Sequence, residues 1–83
     1  MAYAKTAVFT NDNIPEALQK AHNTKPGVWG KIIVLKGQLL YRILEPSESE
    51  YNLTPKSPGV VEPTILHEVK PLGKVTFYVE FYR

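Results

Sequence analysis

Seven prolines and five glycines are spread through this chain of 83 residues, and they leave no room for a helical bundle. Proline removes a backbone donor and fixes φ, while glycine weakens both helix and strand interiors, so each marks an element end, turn or bend. The pieces between them carry strand chemistry. Val75, Phe77, Val79 and Phe81 alternate with Thr76, Tyr78, Glu80 and Tyr82, the period-two pattern of a strand with one face in a core. Thr64 to Val69 reads as a strand with Ile65, His67 and Val69 on one face. Val28 to Leu35 and Gln38 to Leu44 are apolar runs separated by Lys36-Gly37, which predicts a tight hairpin with Gly37 supplying the positive φ. Pro71-Leu72-Gly73-Lys74 matches a type I turn.

The N-terminal third is mixed. Asn13-Ile14-Pro15-Glu16 has the form of a helix start with Asn13 as cap, and the reading adopted is one turn there followed by a strand from Ala17 to Thr24. Six to eight short strands with short antiparallel links make an all-β sandwich or barrel, one domain over residues 1–83.

Composition limits the partners. Net charge is +2 and no block of five like charges occurs, so a basic stripe for nucleic acid is missing. Ile32 to Leu35 is the longest run of strongly apolar residues, far short of the roughly twenty that a membrane-spanning helix requires. No apolar stretch follows the opening Met1 to Lys5, and cysteine is absent, which together predict a cytoplasmic protein without disulfides or thiolate chemistry. No glycine-rich phosphate loop is present, and no Gly-x-Ser-x-Gly surrounds any serine.

Imidazole is the commonest metal ligand and acid–base group near neutral pH, so His22 and His67 are the first candidates for chemistry. With Glu62, five residues before His67, they form a two-His, one-carboxylate set of the kind that holds Fe(II), Zn(II), Mn(II) or Ni(II). The alternative is structural, with His22 bonded to a turn and His67 a satisfied sheet residue. Trp29, Tyr41, Tyr78 and Tyr82 are candidates for a pocket wall, and Lys25 and Lys31, flanking the same turn as His22, for attracting an anion.

Two segments carry a resemblance. His22-Asn23-Thr24-Lys25-Pro26-Gly27-Val28-Trp29-Gly30-Lys31, continuing to Gly37, and Val61-Glu62-Pro63-Thr64-Ile65-Leu66-His67-Glu68-Val69 resemble the small cupin-like domain of TehB-type tellurite-resistance methyltransferases and of YeaR-like proteins. The opening Asn11 to Pro15 and the closing Val75 to Tyr82 share the likeness. It implies two antiparallel sheets rolled into a small barrel around a central pocket. His22-x-Thr24 stands where cupins carry paired histidines, and Pro63-x-x-x-His67 reproduces the end of their second motif. The second histidine is replaced by Thr24, and Gly30 lies near the place of the motif glutamate.

Methyl transfer belongs, in the resembling enzymes, to a separate Rossmann-like domain whose strand–glycine–helix signature these residues lack. The expectation is therefore a non-catalytic domain binding a small molecule or oxyanion through His22, Thr24, Trp29, Tyr41 and His67. A metal-dependent cupin enzyme using His22, His67 and Glu62, or a structural module, are the alternatives. A homodimer is expected as well, formed through an outer strand with Phe77, Phe81 or Tyr82.

Overall fold

The computed structural model describes every residue except Met1, Ala21 and Thr24, and every side chain of the rest except those of Ala2 and His22. The elements are β1 (Ala2–Lys5), β2 (Phe9–Thr10), α1 (Glu16–Gln19), β3 (His22–Asn23), β4 (Trp29–Glu45), β5 (Ser49–Leu53), β6 (Gly59–Val61) and β7 (Leu66–Tyr82). All seven strands belong to one sheet, and every pairing is antiparallel. Its main path runs β1-β7-β4-β5, with β2 and β3 also on β7 and β6 also on β4, so the order is open rather than closed.

Two strands of 17 residues, β4 and β7, dominate the sheet. They pair from Trp29↔Tyr82 at one end to Glu45↔Leu66 at the other. Neither of the two turns expected within them exists. At Lys36-Gly37 the chain does not reverse: Gly37 takes φ +80 and stays paired, opposite Val75. At Pro71 to Lys74 the chain also continues, with Gly73 at φ +80 and residues 72–74 bulging opposite Gln38. Both breakers lie at one level of the ladder, so the two strands bend together.

The bend has a packing consequence. One extra residue in β4, the exposed Leu35, sits between the pairs Val34↔Phe77 and Lys36↔Thr76. A single inserted residue flips the side-chain alternation. Ile32 and Val34 face the core before it, Leu39 and Tyr41 after it, which a regular strand would not allow. A β-carbon on Gly37 would lie 2.0 Å from the Lys74 carbonyl oxygen, so only glycine fits there.

The N-terminal third also departs from expectation. The helical turn falls at Glu16–Gln19 and is capped by Pro15, without a side-chain hydrogen bond. Asn13 instead closes the preceding turn: its Oδ1 accepts from the Thr10 backbone N–H at 2.6 Å. Of the expected strand from Ala17 to Thr24, His22–Asn23 is the paired part among the described residues, and Ala21 and Thr24 lie outside them. Thr6 and Asn11 act as surrogate strand residues along β7. Thr6 Oγ1 accepts from Val79 N–H at 3.0 Å and Asn11 Oδ1 from Val75 N–H at 3.2 Å, while their own N–H groups bond the carbonyls of the same two residues.

The core lies on one face of the sheet. Ile32, Val34, Leu39, Tyr41, Val75 and Phe77 are its most buried members, and Phe9 meets Phe77 edge to face at 5.6 Å. Phe77 is 0% exposed, so it cannot contribute to a dimer surface. No described helix is long and apolar enough to cross a membrane.

Candidate functional site

The alternation of β7 sends His67, Val69, Phe77, Val79 and Phe81 to one face, where they form a wall of a cavity of about 360 Å³. Gly30 and Ile32 of β4 and Val61 of β6 form a second wall; Leu18 of α1, Asn23 of β3 and the loop residues Lys25 and Val28 come from the N-terminal third, as do Tyr3 and Thr6. The lining is overwhelmingly aliphatic and aromatic. Among the described residues its chargeable members are Lys25, Tyr3 and His67, with no Asp or Glu.

His67 is 5% exposed and is the buried polar or charged residue among the described residues. Its position follows from the Ile65, His67, Val69 alternation, with Ile65 and Val69 buried beside it. The ring Nδ1 lies 3.1 Å from the Ile65 carbonyl oxygen. A carbonyl only accepts, so Nδ1 carries the hydrogen and, in the neutral ring, Nε2 is the accepting or ligating nitrogen. Tyr41 supports the imidazole from the side, its ring centroid 5.8 Å away and the planes at 81°. This contact and the carbonyl bond together hold the ring in one orientation.

The structure brings some of the sequence-derived candidates together and separates others. His22 pairs in register with His67, so two positions far apart in the sequence become direct neighbours in the ladder. Residues so opposed in an antiparallel pair lie about 5 Å apart at Cα. Thr24 lies outside the described residues. Trp29, 44% exposed, lines neither the cavity around His67 nor the one beside Tyr41. Tyr41 and Glu62 line a second cavity of about 350 Å³, with Tyr51, Leu53, Gly59 and Ile65. Tyr41 donates its hydroxyl to the Val60 carbonyl at 3.1 Å, and burial, with Tyr51 and Glu62 adding to it, pushes its pKa well above the ordinary phenol value. A buried, bonded and neutral phenol is suited to support rather than to proton transfer.

Sequence reasoning missed Tyr3, Thr6, Leu18 and Asn23 as lining residues. Their only signal is long-range: each reaches the cavity because the N-terminal third lies against β7 or because α1 packs on it. Among the described residues, no group of three or more His, Asp or Glu is gathered to hold a metal ion.

Known proteins share this sheet. The TehB-like domain family matches residues 4–79. The chain is 42% identical over 77 residues to the probable S-adenosyl-L-methionine-dependent methyltransferase TehB of Haemophilus influenzae strain Rd, a match covering 88% of this chain and 27% of that protein. Identity to the corresponding protein of Haemophilus influenzae strain 10810 is 40% over 77 residues. The crystal structure of TehB from Haemophilus influenzae aligns with a TM-score of 0.88 at 36% identity, covering 98% of this chain and 30% of that one. A crystal structure of a protein from E. coli strain K12 aligns with a TM-score of 0.90 over 100% of this chain and 89% of that one, and at 16% identity the likeness is one of fold. The chain thus spans about a quarter of the length of the curated relatives it matches, 27% in each case.

Proposed function

The chain belongs to the TehB-like domain family, and from that premise we propose that it is a non-catalytic ligand-binding domain, with the cavity around His67 as its site. One observation carries this reading: the buried imidazole is set into the wall of an otherwise aliphatic and aromatic cavity, held in a fixed tautomer by Ile65. A concave, mostly apolar site with a few placed polar groups is the usual form of a small-molecule pocket. Within this reading the fold is cupin-like, as in YeaR-like proteins, with the bent pair β4 and β7 curving around the cavity. In the same reading His22, Thr24, Trp29 and Tyr41 are assigned to ligand binding together with His67, and His22 is the one whose backbone pairs with it. Methyl transfer is assigned elsewhere, because the described strands pair only antiparallel and form no parallel βαβ unit for S-adenosylmethionine.

Calorimetric titration with selenite, tellurite and nitrite tests the reading. Wild type is expected to bind at least one of them or an organic anion, and His67→Ala to weaken that binding at least tenfold. Binding by His22→Ala/His67→Ala equal to that of the parent for every ligand removes the cavity from consideration.

The pairing of His22 with His67 favours one second reading, a metal-dependent enzyme with Fe, Zn, Mn or Ni at this pair. His67 suits such a role, since a ligating histidine commonly donates its other N–H to a carbonyl. The carboxylate does not suit it: Glu62 lines the other cavity, and the described residues gather no three-donor set. Metal analysis of protein purified without chelators decides this reading, a stoichiometric divalent ion being the result that favours it. We also propose self-association, because β5 and β6 leave outer edges and Trp29, Tyr51 and Val60 are exposed. Light scattering at micromolar concentration is expected to give a homodimer.

A further inference from the structure

The ligand class of the cavity is written in its lining. Residues at the closed side are Ile32, Val61, Val69, Phe77 and Val79, all buried and all without a polar side-chain atom. A bare oxyanion lodged among them loses its hydration shell, and a charge in apolar surroundings is among the most unfavourable arrangements a protein can make. An apolar body, in contrast, gains from every methylene it hides there. At about 30 Å³ per water-sized group, the 360 Å³ volume holds about a dozen such groups.

The open side has the opposite character. Lys25 and Tyr3 line the cavity and are exposed, so they belong to its mouth. The Arg83 guanidinium lies 4.0 Å from the centroid of the Tyr3 ring, which places a second cation beside that mouth. With Lys25 and Arg83 at the rim and no acid among the described lining residues, the entrance favours one negative charge held at the solvent boundary.

We propose that the cavity takes a small organic monocarboxylate, with its aliphatic or aromatic body between β4 and β7 and its carboxylate at the mouth beside Lys25. The proposal rests on the reading of this cavity as a ligand site and narrows it to a class. His67 then acts on the buried portion of the ligand as a fixed polar contact in an apolar wall, and selectivity arises from body length as much as from charge.

The test is a calorimetric series of butyrate, pentanoate, hexanoate and heptanoate on the full chain, beside hexan-1-ol and selenite. Methyl NMR of Val28, Ile32, Val61, Val69 and Val79 locates the binding. The expected result is tighter binding by about fourfold for each added methylene until the cavity is full, from about 0.8 kcal/mol per methylene. The methyl shifts move at those residues and not at Leu53, which lines the other cavity. Lys25→Gln, an exposed position whose change leaves the core intact, is expected to weaken hexanoate two- to fivefold and leave hexan-1-ol unchanged. Binding of selenite at His67 without alkanoate binding overturns the proposed class and leaves the cavity as a site. Equal binding of hexanoate and hexan-1-ol, with Lys25→Gln silent, also overturns it. If neither alkanoates nor oxyanions move the cavity methyls, the site itself falls along with the class.

Discussion

Replacing Gly37 by alanine isolates the contact that keeps β4 and β7 bent together. Gly37, Gly27 and Gly73 share a left-handed φ of +80, +77 and +80, but their surroundings differ. A β-carbon at Gly27 or Gly73 meets nothing within 4 Å, whereas at Gly37 it lies 2.0 Å from the Lys74 carbonyl oxygen and 3.0 Å from Val75 Cα. Gly73→Ala therefore bears only the left-handed backbone cost, about 1–2 kcal/mol, partly offset by the stiffer unfolded chain. Gly37→Ala bears that cost and in addition drives the two central strands apart, because the clashing atom is backbone and must move by more than an ångström. Opening the ladder there removes one or more inter-strand hydrogen bonds, each about 1 kcal/mol, and loosens the packing of Val75 and Phe77 against β4, for a total of about 4–5 kcal/mol. In a domain of this size, 1 kcal/mol moves the midpoint by about 4–8 °C. Thermal unfolding followed by circular dichroism should lower Tm by about 4–10 °C for Gly73→Ala. For Gly37→Ala the loss should be about 15 °C or more, or folding should fail. If the two variants melt within a few degrees of each other, the shared bend does not depend on that close approach and the reasoning is wrong.

Other outcomes follow from single contacts. Tyr41→Phe removes the hydroxyl bonded to the Val60 carbonyl and should cost about 1–2 kcal/mol in urea unfolding. The same phenol makes stability depend on alkaline pH. Its pKa is raised in the folded state above the 10.0 of the unfolded chain, so its contribution is full below about pH 10 and declines as pH rises toward the folded value. Wild type should consequently lose more stability than Tyr41→Phe between pH 9 and pH 11, and equal losses would sink the assignment. Asn11→Ala strands the Val75 N–H and should cost about 1–2 kcal/mol, although Asn11 is only part-buried. Thr64 holds a left-handed φ of 64, where asparagine is better tolerated, so Thr64→Asn should raise Tm by about 2–4 °C.

The parts of this fold that could be read from the sequence are those fixed by side-chain parity. Val75, Phe77 and Val79 alternate in the sequence and are buried in the sheet, as are Ile65, His67 and Val69. The misreadings share one cause. Lys36-Gly37 and Pro71 to Lys74 carry turn chemistry, but a positive φ at glycine serves a bulge as well as a hairpin, and only the opposing strand decides between them. The two sites face each other, so each stays paired through its own bend. Asn13 could cap a helix or close a turn, and the Thr10 N–H within 2.6 Å selects the turn. His67 as a buried polar residue was legible from its place between Ile65 and Val69. Its pairing with His22 was not, because no spacing rule links positions joined only by strand register. Tyr41 and Glu62 were grouped with the histidines by residue type, but the fold gives them a cavity of their own.

Because β1, β2 and β3 all rest on β7, the N-terminal segments of this sheet find their partners on its last strand. The bonds of Asn11 to Val75 and Thr6 to Val79 span 64 and 73 residues. The pairings of β4 with β5 and β6 are local, whereas β1, β2 and β3 stay without partners until β7 is in place. A sheet completed by such distant pairings folds slowly for its size, and in the interval its unclasped strands are open to chaperones and to one another.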